Sequence, residues 1–275
     1  MFKIKAGPQH LQGRKLYIAD NWSDKLAEFG LIQGKNWLEL KPGTAVSRSH
    51  RVNAYRVPLK DGSCVYFKTY SFHGQLLDYF MRPSKCAYEV NSYQILKKIG
   101  IPTIETVAFG EERNFSMLRS CCVVTVGIDN TTQLEDFAQI WYHLPPAEKK
   151  QAFDEIFTET AKFTRMAHKA NFFHYDLKWR NILISKENGH YHTRWIDCPR
   201  GRFSRWRSKR GQMVDLSCLA RLALSYLTRT QRWRFLKVYL DDEASTSKIK
   251  ELWRLINSHL SRRMPEILTL PVLNN

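Results

Sequence analysis

Residues 172–184 read FFHYDLKWRNILI, a composition that no ordinary buried segment has. Phe172, Phe173, Ile182, Leu183 and Ile184 anchor its two ends in apolar surroundings, while His174, Asp176, Lys178, Arg180 and Asn181 crowd its middle. Upstream, PPAEKKQAFDEIFTETAKFTRMAHKA opens on prolines suited to a helix start. It then returns Phe153, Ile156, Phe157, Thr160, Phe163 and Ala167 at three- and four-residue steps, so a long helix ends just before the stretch. Downstream, NILIS and HTRWID flank a turn at Glu187 to Gly189 and read as a hairpin. The polar middle is therefore a loop held at both ends, able to project Asp176, Lys178 and Asn181 together. Asp197 follows the second hairpin strand, which predicts it as a neighbour of Asn181.

An amide and a carboxylate that converge are hard oxygen donors of the kind Mg²⁺ takes, and Mg²⁺ in turn bridges nucleotide phosphates. Asp176 is then placed to accept the proton of an attacking hydroxyl, and Lys178 to neutralise charge on a transferring phosphoryl group. The spacing His174-x-Asp176-Leu177-Lys178-x-x-Asn181 resembles the H-R-D-L-x-x-x-N catalytic loop of protein kinases, with Tyr175 in place of the Arg. His174 is read as structural, packing behind the loop.

The first third of the chain reads as strands. GRKLYIAD, NWLELKPG, RVNAYRVPL and SCVYFKTY are rich in β-branched and aromatic residues, with turn signals at Pro42-Gly43 and Asp61-Gly62. The Asp-Gly turn predicts a hairpin between the last two. A helix over about 85–99 stops at Gly100 and Pro102, and SMLRSCCVVTV reads as another strand. Helices are predicted again from about 213 to 228 and from 246 to 262. The shift from strands to helices near residue 128 divides the chain into 1–127 and 128–275. Lys68 closes the strand VYFK as an ATP-anchoring lysine does, Glu89 lies in the following helix where its ion-pair partner belongs, and Asp197 takes the place of the Asp in D-F-G.

Composition bounds the rest. The chain has 275 residues, 43% hydrophobic and 13% aromatic, enough for one large core or two lobes sharing a cleft. Its net charge of +17 draws phosphates, nucleic acid or an anionic membrane face. Six cysteines without a C-x-x-C pair read as reduced, packed thiols of a cytosolic protein rather than as a zinc site. The apolar run around CCVVTV is far shorter than the roughly 20 residues a membrane span needs, and MFKIKAGPQH lacks the apolar core of a signal peptide.

The segments VYFKTY, YEVNSYQILKKIGIPT, FFHYDLKWRNILI, RWIDCPRGR and VDLSCLARL are similar to those of the bacterial lipopolysaccharide core kinases of the Kdo/WaaP type, over about residues 45–225. The resemblance implies an α+β, bilobal protein-kinase-like fold: a strand-rich N-lobe (1–127), a helical C-lobe (128–275) and an active site in the cleft between them. It implies ATP-dependent phosphorylation of heptose or Kdo of the lipopolysaccharide inner core at the cytoplasmic face of the membrane. ATP and Mg²⁺ are the implied cofactors. Lys68 would position the α and β phosphates, Glu89 would orient Lys68, Asp176 would be the catalytic base assisted by Lys178, and Asn181 and Asp197 would hold the metal. The Arg missing from HYD and the lack of A-P-E after Asp197 argue against a regulated protein kinase. KPGTAVSRSHRVNAYRV offers one glycine where G-x-G-x-x-G would stand.

Between Asp197 and Asp215 lie Arg200, Arg202, Arg205, Arg207, Lys209 and Arg210, where a kinase receives its acceptor. Bidentate contacts from Arg200, Arg202, Arg205 and Arg207 suit a sugar carrying phosphates and carboxylates. Asp215 is expected to brace the catalytic loop. The window SKIKELWRLINSHLSRR puts Ile249, Leu252, Trp253, Ile256 and Leu260 on one face, either a membrane-surface helix or a cover for the core. The expected partners are the anionic core oligosaccharide and an anionic inner-membrane surface, with no nucleic acid and the protein partner left open. A kinase of the aminoglycoside phosphotransferase kind, which takes cationic substrates, fits the basic segment poorly. A catalytically dead scaffold is weakened by the full set of catalytic side chains, and a basic nucleic-acid binder would show salt-sensitive affinity without phosphotransfer.

Overall fold

A computed structural model describes residues 1–72, 77–141 and 143–263. It divides into two compact units, one formed by residues 1–95 and 104–129 and the other by residues 96–103 and 130–275.

The first unit contains β1 (Gly13–Ile18), α1 (Ser23–Ala27), β2 (Thr44–Arg48), β3 (Val52–Pro58), β4 (Cys64–Ser71), most of α2 (Lys85–Lys98), β5 (Thr106–Asn114) and β6 (Met117–Val126). Its six strands form one sheet in the order β1-β5-β6-β4-β3-β2, with every pairing antiparallel. Successive side chains of a strand point to opposite faces, and β4 uses both. Val65 and Phe67 enter a core with Trp37, Leu26 and Leu31. Tyr70 and Phe72 enter a second core with Cys86, Ala87 and Val90 of α2. Lys68, in step with Tyr70 and Phe72, therefore stands on the α2 face of the sheet. The predicted hairpin at Asp61-Gly62 is β3–β4, with Pro58 opposite Cys64.

The expected strand over residues 36–43 does not form. Trp37 is instead buried in a turn, its Nε1 donating to Ser120 Oγ at 3.0 Å, and the strand begins at Thr44. Gly43 is needed for close approach: at φ 62° a Cβ there would lie 2.2 Å from the Arg56 carbonyl oxygen.

The second unit contains β7 (Thr131–Gln133), α3 (Leu134–Trp141), α4 (Pro146–Lys169), β8 (Phe172–Phe173), β9 (Ile182–Glu187), β10 (His190–Trp195), β11 (Arg202–Phe203), α5 (Ser208–Tyr226), α6 (Arg229–Leu240) and α7 (Thr246–Arg263). The β9–β10 hairpin turns through Asn188 and Gly189, both at positive φ, as a two-residue loop demands. The Gly100–Thr103 turn clips to the end of β10: Trp195 N donates to Pro102 O at 2.9 Å and Thr103 Oγ1 donates to Trp195 O at 2.6 Å. Of the two readings of the C-terminal window, the structure gives the core cover. Ile249, Ile256 and Leu260 of α7 are buried with Leu216, Ala220, Leu236 and Tyr239 of α5 and α6. Among the described residues no helix is long and apolar enough to cross a membrane.

Candidate active site

In the first unit, Lys68 lies mid-sheet, paired with Ala54 on one side and Val123 on the other. Its ammonium is 4.0 Å from Glu89 Oε2 and 5.3 Å from the centre of the Tyr70 ring. Glu89 is buried, and Tyr93, one turn further along α2, donates its hydroxyl to Glu89 Oε1 at 2.8 Å. A buried carboxylate needs such partners to remain charged. Cys86, beside it, and Cys122, in the other core, are fully buried, and burial pushes both thiols well up, so they pack as neutral groups. Among the described residues none of the six cysteines forms a disulfide.

In the second unit the stretch from His174 to Asn181 is a loop, as its flanks predict, and it is bonded to itself. Lys178 N donates to Asp176 O at 2.8 Å, Asn181 N to Lys178 O at 2.9 Å, and Asn181 Nδ2 back to Asp176 O at 2.8 Å. Leu177 and Trp179 are sunk in the core, and Trp179 Nε1 is tied to Leu219 O at 2.9 Å. Alternation then turns Asp176 and Lys178 outward, both about a quarter exposed, with Lys178 Nζ 2.7 Å from Asp176 Oδ1. Ile196 N donates to Asn181 O at 2.9 Å, which sets Asp197 beside the Asn181 backbone. Asp197 takes φ 54°, a left-handed conformation that Asp tolerates better than most residues. With Asn181 Nδ2 committed to the loop, its amide oxygen remains for a cation.

Asp215 braces this loop, as expected. Wholly buried in α5, it accepts from His174 N at 2.9 Å and Tyr175 N at 2.7 Å, which holds Tyr175 at φ 61°. His168 Nε2 lies 3.3 Å from the same carboxylate and its Nδ1 is 2.9 Å from the Tyr239 hydroxyl. Burial, and after it the Asp215 charge, pushes the Tyr239 hydroxyl up. The His174 ring is behind the loop, Nε2 on Ile196 O at 3.1 Å and the ring edge-on to Trp195. His168 and Tyr239 have no signal in the sequence, the first being one more residue of a long helix and the second lying where the pattern predicts no element.

The four arginines expected at the acceptor are not gathered equally. Arg202 sits in β11, opposite Phe173, with its guanidinium 5.1 Å from the centre of the Tyr175 ring. Arg200, Arg205 and Arg207 are exposed.

The model of the lipopolysaccharide kinase (Kdo/WaaP) family matches residues 69–239, more than half of the chain. The chain belongs to that family. Two curated relatives are both lipopolysaccharide core heptose(I) kinases named WaaP. The Escherichia coli protein is 28% identical over 161 residues, 55% of this chain and 58% of its own. The Pseudomonas aeruginosa protein is 29% identical over 150 residues, 52% of this chain and 55% of its own. The match thus spans little more than half the length of these curated relatives. A solved structure, WaaP in complex with acyl carrier protein, superposes with a TM-score of 0.68 at 21% identity, over 92% of this chain and 99% of that one. The α+β, kinase-like class expected for a Kdo/WaaP family member is the class observed.

Proposed function

We propose that the chain is an ATP-dependent sugar kinase that phosphorylates a heptose of the lipopolysaccharide inner core, peripheral to the cytoplasmic face of the inner membrane. The observation that carries the reading is the self-bonded loop, which turns Asp176 and Lys178 outward 2.7 Å apart while Asn181 is locked to the Asp176 carbonyl. Heptose is preferred over Kdo because both curated relatives carry heptose in their names.

Each residue has one task. Lys68, oriented by Glu89, holds the α and β phosphates of ATP. Asn181 and Asp197 supply an amide and a carboxylate oxygen, a donor set that fits Mg²⁺. When bound, that ion would neutralise phosphate charge. Asp176 takes the proton of the sugar hydroxyl as its oxygen bonds to the γ phosphorus and the bond to ADP breaks. Lys178 offsets charge on the transferring group. Arg202, with Arg200, Arg205 and Arg207, holds anionic groups of the acceptor. Acyl carrier protein, present in the solved WaaP complex, is proposed as the protein partner.

Purified protein given labelled ATP and core lipopolysaccharide should transfer label to heptose. Asp176→Ala should lower the rate about 10²- to 10⁴-fold, the range for loss of a general base. Full activity in that variant would overturn the assignment.

A further inference from the structure

The loop RGRFSRWRSKR, residues 200–210, departs from the packing of the rest of the second unit. Trp206 is 100% exposed and Phe203 is 55% exposed. A ring the size of tryptophan normally contributes more to a core or an interface than any other side chain, so leaving it wholly in water forgoes that contribution. Around it stand Arg200, Arg202, Arg205, Arg207, Lys209 and Arg210, all exposed, with no acid among them in sequence. Among the described residues none of the six forms an ion pair.

The base of the loop is firmly held. β11 pairs with β8, the Phe203 ring meets buried Phe172 edge-on at 5.9 Å, and Ser204 N donates to Asn171 O at 2.9 Å. Gly211, at the start of α5, lies so close to the Phe173 ring that a Cβ would come within 2.4 Å of its Cγ. The aromatic apex is thus carried on a fixed stem that runs straight into the catalytic loop.

We propose that this loop docks the protein on an anionic bilayer, with Trp206 and Phe203 entering the headgroup boundary and Lys209 and Arg210 meeting lipid phosphates. Charge complementarity selects the surface, and an amphipathic ring at the apex suits the boundary between water and acyl chain. α7, the other amphipathic candidate, has its apolar face buried against α5 and α6 and is not available. A nucleic-acid strand would ask for a run of stacking faces along a groove, whereas this loop has two rings on one turn. Arg202 lies on Tyr175, the residue before Asp176, so docking here sets the catalytic loop close to the lipid surface, where a lipid-linked acceptor resides. The inference rests on the proposed membrane placement and not on phosphoryl transfer.

The full chain should co-sediment with vesicles of phosphatidylglycerol and phosphatidylethanolamine, and not with pure phosphatidylcholine, in the absence of nucleotide and acceptor. Trp206→Ala should weaken that binding about tenfold, from the lost burial of its ring. The double change Lys209→Ala, Arg210→Ala should weaken it roughly thirtyfold, since each cation near such a surface contributes about 1 kcal/mol. Trp206→Ala should transfer phosphate to a delipidated, water-soluble core oligosaccharide at the wild-type rate. Docking is overturned if the wild type stays in the supernatant, if Trp206→Ala binds as tightly as wild type, or if the loop variants lose affinity only for RNA. Vesicle binding by a wild type that transfers no phosphate would leave docking standing and remove the proposed function instead.

Discussion

Between His174 and Asn181 the groups that shape the loop are tied to neighbours: Asp176 to Lys178, Asn181 to the Asp176 carbonyl, and the backbone amides of His174 and Tyr175 to Asp215. Between Arg200 and Arg210 the cations face solvent without ion pairs among the described residues, around a bare tryptophan. Both segments read as polar interruptions between apolar anchors. The first is held in place by bonds made within the fold, since buried polar groups are costly to leave without partners. The second is held at its base and leaves Trp206 and its cations exposed.

Three substitutions sharpen or break that contrast. Asp215→Asn has the largest expected effect on stability, because an amide can serve only part of what the carboxylate accepts from two backbone N–H groups and His168. Leaving a buried donor unserved costs about 1–3 kcal/mol. Urea unfolding should report that loss, with a larger fall in turnover as the loop loosens. Gly211→Ala comes next: the added methyl meets the buried Phe173 ring and should cost on the order of 1–2 kcal/mol of overpacking in the same assay. Arg205→Ala should change stability by less than about 0.5 kcal/mol, as exposed sites do, while raising KM for the acceptor and sparing KM for ATP. A destabilisation by Arg205→Ala as large as that of Asp215→Asn would abolish the distinction between the loops.

The sequence signal was strongest where periodicity and turn chemistry agreed. β3–β4 around Asp61-Gly62, β9–β10, α2, α4 and α7 lie where the pattern put them. β5 went unread because its charges are buried. Glu111 and Arg113 pair at 2.7 Å in the core, where Glu111 also accepts from Gln9 N and Ser84 N, and Arg113 donates to Ser116 O and Arg82 O. Gln9, Ser84 and Arg82 come from distant segments, so the sequence of β5 alone looks like a solvated loop. α6 was missed for a related reason: RTQRWRFLKVYL buries only Leu236 and Tyr239, too few for an apolar stripe to stand out. Residues 36–43 were misread in the other direction, their apolar side chains serving a buried turn.

By itself the sequence determined most of the elements, the order of the chemistry-bearing residues and the family, because spacing along a chain constrains which side chains a loop or strand can present. Tertiary structure alone decided that His168 and Tyr239 stand behind Asp215 in holding the loop, that α7 spends its apolar face on the core, and that Trp206 is left in water. Burial is the reason: a side chain's surroundings come from segments far away in sequence, and local pattern does not carry them.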